Sequence, residues 1–576
     1  MCKKAVILLS ALTLIIFWTC SQNNRQNNVE WVTLSDGQRI PQGGTLVAGV
    51  ISDVKSLNYY VAESRLAQDI IDLMFLSLTT INPDLKTFSP LLAKSWEFSD
   101  DRKTLTFHLR DDVYWWDGEK TTAEDVAFTH RIITHPEVTW SGKSWKEHIE
   151  NVEAVDDTTV VYQFSRVYPY QLMDAAEGVI LPEHLLQDVP SGEFLTADFN
   201  SHPVGNGPFR FSRWEQQQQL ELIRNEHYYE ESKPHLDRIV FRIVPDRTTL
   251  ITQLQAGEID FVEDMSPRNF QQTKQNFKDG NSDIKIYEYL GRNYDYIAWN
   301  TIDPDAYDPN VHATVESFDQ IPNPYFADKR VRQAMTYAIN RDLIREAIGY
   351  GLLIPMHGAI SPILWAHDES IPEIPYDPDE ARTLLADAGW QDVDDDGLLE
   401  KDGRDFRFTI KTNTGNVRRE QTCTLIQDML KQVGIQMEIQ LLEGLTFFNS
   451  LRNKQFDAAL SGWSVALKVD YAPIFHSQAA LKGYNFTAYR NPLFDSLNRE
   501  AAVASDTEKA KKLWSQVESL LLEDQPYTWL YYMKSGHGLH ERFKGVRMDH
   551  RGAYLNLEDW WVPVEERKYW VSRAQL

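Results

Sequence analysis

The 576-residue chain reads as a mixed α/β protein whose sheets are covered by helices. Three observations predict this. Strand-like and helix-like segments alternate along nearly the whole length, with short turns between them. No repeat with a period of roughly 20–50 residues is visible. Beyond Cys2 and Cys20 the only cysteine is Cys423, so no intrachain disulfide is expected and stability must come from burial, which a chain this long supplies easily. Length alone suggests about three or four domain-sized units.

Each element has its own cause. TLVAGV, at 45–50, is a short apolar run suited to a buried strand. Residues 63–78 place Leu66, Ile70, Leu73, Met74 and Leu78 at helical spacing. Residues 104–110 alternate with period two, as a half-buried strand does. Thr122 opens a helix over 122–134, with Glu124 and Asp125 in its first turn. Strands follow over 220–225 and 238–244, then a helix over 247–260 that Gly257 stops. Gly205 and Gly207, beside Pro208, are expected to permit positive φ, and Trp116-Asp117-Gly118 reads as a turn. In the second half, 329–351 predicts a long helical region with a cap-like break near Asn340. Pro378 behind Asp377 starts a helix that Gly389 ends, and the helix over 419–435 ends on Gly434. Strands are predicted over 435–442 and 456–463, and the last long helix over 508–526.

The N-terminus sets the compartment. Lys3 and Lys4 precede an apolar run from Ala5 to Trp18, shorter than the about 20 residues of a bilayer span. That pattern is a secretory signal, which predicts an exported protein of the periplasm or cell envelope. Cys20 stands where cleavage would leave an N-terminal cysteine for acylation. Residues 1–19 are then a lipoprotein signal peptide and a lipid holds the protein to the membrane. Phe17, Trp18 and Thr19 differ from the usual residues before such a cysteine, and an ordinary cleaved signal is the alternative. Residues 20–44 begin SQNNRQNN after Cys20, too polar to fold alone, and are expected to form a flexible tether. A net charge of -26, with acids spread throughout, argues against nucleic acid as a partner. The 17 Trp and 25 Tyr either fill cores or line ligand clefts.

Several blocks stand in a telling order. LLAKSWEFSDDRKTLTFHLRDDVYWWDGEKTTAEDVAF (91–128) carries Trp96, Leu109-Arg110, Trp116-Asp117-Gly118 and Ala123-Glu124-Asp125-Val126. VGNGPFRFSRWE (204–215), LIRNEHYY (222–229) and LQAGEIDFV (254–262) follow. WNT (299–301) leads to DKRVRQAMTYAINRD (328–342). FDAALSGWS (456–464), FHS (475–477), NPLFDSL (491–497) and EDQPYTWLYY (523–532) complete the series. In this order the chain resembles the family 5 solute-binding proteins of ABC importers, the dipeptide and oligopeptide binders.

The resemblance implies a two-lobed periplasmic-binding-protein clamshell (type II, cluster C) with an extra subdomain in the first lobe. Lobe I would comprise 45–80, 205–294 and 525–576, the extra subdomain 81–204, and lobe II 295–524. Hinges are expected near 299–301 and 523–526. It also implies a monomer that captures a peptide between its lobes and delivers it to a membrane permease powered by a separate ATPase. Relatives in the family also carry nickel complexes, haem, opines or oligosaccharides. The same fold and transport role with such a non-peptide ligand is the alternative, and a Trp-crowded cleft would suit a sugar.

Candidate ligand-binding residues follow from position. Ser52 and Asp53 lie just past the first strand, Tyr296, Trp299 and Asn300 at the crossover between lobes, and Trp463 and Ser464 at a strand end. In peptide-binding members an Asp soon after the Gly-Trp of this strand pairs with the ligand's α-amino group. Here the first acid is Asp470, at a longer spacing, and a loop-capping role before Pro473 is its alternative. Asp392, Asp394, Asp396 and Gly397 match the start of an EF-hand loop and Glu400 continues it. The closing bidentate Glu is replaced by Gly403, so a surface turn is expected rather than a metal site. No GxxxxGK[ST], GxSxG, HExxH or CxxC motif occurs, and no cofactor or catalytic residue is expected. Glu183-His184 and His540-Glu541 lack a third group to orient them, and His357 and His476 read as structural or cleft residues.

Overall fold

The computed structural model describes residues 29–568; the acylation candidate Cys20 lies outside the described residues. Its two lobes share one 11-stranded sheet. In the first lobe the strands Phe209–Glu215, Gln219–Arg224, Arg238–Ile243, Thr45–Val50 and Phe261–Val262 lie side by side in that order. Thr45–Val50 has a parallel neighbour on each side and is buried at every position, hence its unbroken apolar sequence.

Two long antiparallel strands, Ile284–Trp299 and Tyr527–His540, carry the sheet into the second lobe. There Ala458–Ser464, Arg407–Asn413 and Gln436–Leu442 extend it. The register of the long pair breaks between Leu290 and Tyr294. Before the break Ile284–Leu290 faces Lys534–His540; after it Tyr294–Ala298 faces Tyr527–Tyr532 and also pairs with Ala458–Ser464. Gly291 lies within this break, and a Cβ there would sit 2.9 Å from the Met533 carbonyl oxygen. The sequence blocks at 299–301 and 523–526 lie at the second-lobe end of this pair, where its ladder stops at Ala298 and Tyr527.

The extra subdomain is a four-stranded antiparallel sheet in the order Ala93–Phe98, Thr104–Leu109, Thr159–Phe164, Ile149–Asp156. The helix Ala123–Thr134 starts where predicted, and the Thr122 N–H donates to Asp125 at 2.8 Å. Its apolar side chains run into the core of the first lobe without interruption.

The helical region at 329–351 divides into Lys329–Ala338 and Arg341–Gly349, and the Asn340 side chain accepts the Leu343 N–H at 2.9 Å. The helix predicted over 63–78 is the shorter Arg65–Asp72. Past it, Gly205 and Gly207 press against Met74. Neither adopts positive φ; a Cβ on Gly205 would run into the Met74 carbonyl oxygen, so close approach is what demands glycine. No helix among the described residues is long and apolar enough to cross a membrane.

Candidate ligand cleft

A cavity of about 590 Å³ opens between the lobes. Its wall comes mainly from the first lobe and the extra subdomain: the helix Arg65–Asp72, the hairpin at 79–91, the segment 173–179 and the C-terminal stretch 547–558. Leu467 lines it from the second lobe.

Two contacts hold the lobes together beside this cavity. The hairpin of Thr79–Ile81 and Phe88–Pro90 carries Leu85 at its tip, in the left-handed region at φ 51°. Leu85 is 1% exposed and packs in the second lobe's core beside residues such as Met356 and Ile360. Next to it, Lys86 donates to the Thr507 hydroxyl at 2.9 Å and sits 4.6 Å from the centroid of the Trp365 ring. At the second contact the loop 465–471 docks on the extra subdomain. Lys468 pairs with Asp174, and Tyr170 Oη both accepts the Val469 N–H (2.9 Å) and donates to the Val469 carbonyl (3.3 Å).

The cavity wall is acidic at the C-terminal end of Arg65–Asp72. Arg65 pairs with Asp69 at 2.7 Å and donates to the Arg551 carbonyl. Across from them the Tyr59 hydroxyl donates to Glu177 at 2.8 Å. Asp72 is exposed to the cleft, yet the surrounding protein displaces enough water to push its carboxyl up to about 7, helped by repulsion from Asp69 and Glu177 and opposed by Arg65. Burial also raises Asp69, against the pull of Arg65, and raises Glu263, with added repulsion from Asp69 and Asp264. Burial drives the Tyr59 hydroxyl upward too, reinforced by Glu177 and Asp72.

The predicted positions lie elsewhere in the two lobes. Asp53 is fully occupied: the Trp214 indole N–H (2.9 Å), the Gln217 N–H (2.7 Å) and the Val54 N–H (2.9 Å) all donate to it, while Ser52 is exposed. Tyr296 is buried, its ring 3.9 Å from that of Tyr527. The Trp299 indole donates to Thr528 at 3.0 Å, and the Asn300 amide donates to the Lys454 and Phe456 carbonyls. Both are fully buried. Trp463 lies between Tyr296 and Phe486, near-parallel to each ring, and Ser464 is exposed at the strand end. Asp470 accepts the Ala472 N–H and the Asn498 amide, each at 2.9 Å, which is the loop-capping geometry. None of these residues lines the cavity. Asp69, Asp72 and Glu177, which do, carry one sequence signal: two acids in the last turn of a helix, where the macrodipole disfavours them.

Asp392, Asp394, Asp396 and Glu400 come together with oxygens within 4.8 Å of one another. All four accept backbone N–H groups of 393–398, so the cluster holds its own turn in shape.

A two-lobed α/β molecule with a cavity between lobes linked by two crossing strands is an extracellular solute-binding protein in architecture. Residues 87–479 match the model of the bacterial extracellular solute-binding proteins, family 5 Middle, and the chain belongs to that family. It is 31% identical over 570 residues to the oligopeptide-binding protein AppA of Bacillus subtilis, covering 97% of this chain and 99% of that one. The structure of AppA in complex with a nonapeptide superposes with a TM-score of 0.71 over 91% of this chain and 99% of that chain. NikZ from Campylobacter jejuni, in complex with Ni(L-His), gives a TM-score of 0.71 at 25% identity, covering 90% of this chain and 99% of that one. The dipeptide-binding protein of Escherichia coli is 24% identical over 489 residues, 81% of this chain and 84% of that protein.

Proposed function

We propose that the chain is the capture component of an ABC importer for peptides: it takes a peptide between its lobes, closes, and hands it to a membrane permease. The observation that carries this reading is the cavity of about 590 Å³, flanked by contacts from both lobes. Enclosure of a small solute by lobe closure is capture without chemistry, and no catalytic role is assigned. The oligopeptide named for the Bacillus subtilis relative favours peptide cargo. So does the strand Ala458–Ser464, which among the described residues has no ladder partner on its Arg407–Asn413 side beyond Ala459, where the Leu460 carbonyl accepts the Thr412 hydroxyl and the backbone after it is left to pair with an extended chain.

In this reading the lobes rotate about the register break at Leu290–Tyr294 rather than about 299–301. The protein works as a monomer, tethered outside the cytoplasmic membrane through a lipid on Cys20. A non-peptide cargo is the second reading, favoured by the Ni(L-His) bound to the Campylobacter jejuni relative. A sugar is the poorest fit, since the ring of Trp463 is already occupied by aromatic neighbours.

Native mass spectrometry of the purified soluble form, followed by denaturation, separates these readings. A ladder of released peptide masses is expected. A single non-peptide mass would leave the transport role standing and overturn the peptide.

A further inference from the structure

Asp470 accepts the Ala472 N–H and the Asn498 amide through one oxygen, Oδ1, and does not line the cavity. The first-lobe wall of the cavity carries carboxylates of its own.

We propose that Asp69, Asp72 and Glu177, together with the Tyr554 hydroxyl, form a subsite on the first-lobe wall for an alkylammonium group, either the peptide's amino terminus or a lysine side chain. The inference rests on the peptide reading and names where the positive charge of the cargo goes.

The charges on this wall do not balance. Asp69, Asp72 and Glu177 line the cavity, and Glu263 and Asp264 stand close enough behind to repel Asp69. Facing these carboxylates are Arg65, Arg292 and Lys146, and Arg547 and Arg551 also line the cavity, each with other work: Arg547 pairs with Asp559 and Arg551 with Asp549. Arg65 spends one bond on the Arg551 carbonyl, Arg292 donates to the Val465 carbonyl, and Lys146 donates to the carbonyls of Asp174 and Glu177. Asp72 has no hydrogen bond or ion pair among the described residues.

An acidic cluster alone would not mark a site, but unsatisfied buried groups accompany this one. Asp69, Thr79 and Tyr554 are each 5% exposed and line the cavity. Among the described residues Asp69 Oδ2, Thr79 Oγ1 and Tyr554 Oη have no hydrogen-bond partner. Such groups are costly unless something enters to satisfy them. An ammonium brings three donors, each of which a carboxylate or hydroxyl oxygen of this wall can accept. The C-terminal end of Arg65–Asp72 adds its own negative potential to the same spot. An anion or an apolar group would leave these acceptors unmet.

The test is a set of four pentapeptides measured by isothermal titration calorimetry: amino terminus free or acetylated, central residue lysine or norleucine. The parent protein is expected to lose about tenfold in affinity on removal of one of the two amines, a difference of about 1.4 kcal/mol. In Asp72→Asn and Glu177→Gln that ratio should fall towards unity. Loss on acetylation assigns the amino terminus, loss on norleucine substitution the lysine side chain. Melting temperatures at pH 8 check the fold of the variants, which should melt no lower than the parent because each removes a mutually repelling charge. Equal binding of all four peptides by the parent, or an unchanged ratio in both variants, overturns the subsite and leaves the peptide reading intact. Failure of every peptide to bind the parent overturns the peptide reading and the subsite with it.

Discussion

Asp72 shows how a single side chain links the cleft to pH. Though exposed to the cleft, its carboxyl is raised to about 7 by the water that the surrounding protein displaces, with Asp69 and Glu177 repelling it and Arg65 attracting it. In the unfolded chain it titrates near 3.8. Between those values the folded state binds more protons than the unfolded one, so stability drawn from this group is present at low pH and lost as pH rises through about 7. Binding of a cation has the opposite sense, since only the ionised form attracts it. Affinity for an amine-bearing peptide is therefore expected to rise from pH 5.5 to pH 8, with proton release on binding near pH 7. Calorimetry in buffers of different ionisation enthalpy reads that release directly, and uptake of protons instead would contradict the assignment.

The same residue marks how far the sequence could be read. Asn340, Thr122, Gly257 and Gly389 announce helix ends by rules that act within one turn, and the structure places those ends accordingly. Asp69 and Asp72 sit in a helical pattern whose apolar residues dominate it, and their meaning depends on Glu177, more than a hundred residues away. Asp53, by contrast, has the right position after the first strand, but three donors from its own lobe already occupy it. Local spacing could not show that competition.

At the scale of elements, two small pieces hold the cleft. Residues 79–90 and 465–471 reach across from opposite lobes, and each presents one dominant group, Leu85 and Lys468. Burying a leucine side chain is worth about 1.5–3 kcal/mol, while a partly exposed ion pair contributes less. Leu85→Ala is thus expected to shift the ligand-free protein towards a more open form, seen as a larger radius of gyration by small-angle X-ray scattering. Lys468→Ala should do so more weakly. Equal scattering of Leu85→Ala and the parent would show that the hairpin does not hold the lobes. Neither contact was legible beforehand, because the hairpin's sequence reads only as turn and polar edge, and its partner lies in another lobe.

The whole molecule follows from one sheet that serves both lobes. The two lobes and the extra subdomain are expected from the family resemblance that the order of the blocks carries, while the blocks themselves specify only turns, caps and buried strands. The register of the long strand pair breaks at Leu290–Tyr294, beside the boundary expected between 294 and 295, and its ladder runs on to Ala298. Trp299 and Asn300 accordingly serve the second lobe's interior.

The seat of Leu85 in the second lobe carries a kinetic consequence. A molecule that gains from burying this side chain does so whether or not cargo is inside, so part of the empty population stands shut. Cargo can enter only during the remaining time, and capture slows in proportion to the shut fraction. At high cargo concentration the observed association rate then levels off at the rate of reopening, which stopped-flow tryptophan fluorescence would record as a plateau. Leu85→Ala should raise that plateau. The importer would draw on a reservoir whose filling is timed by the protein rather than by diffusion.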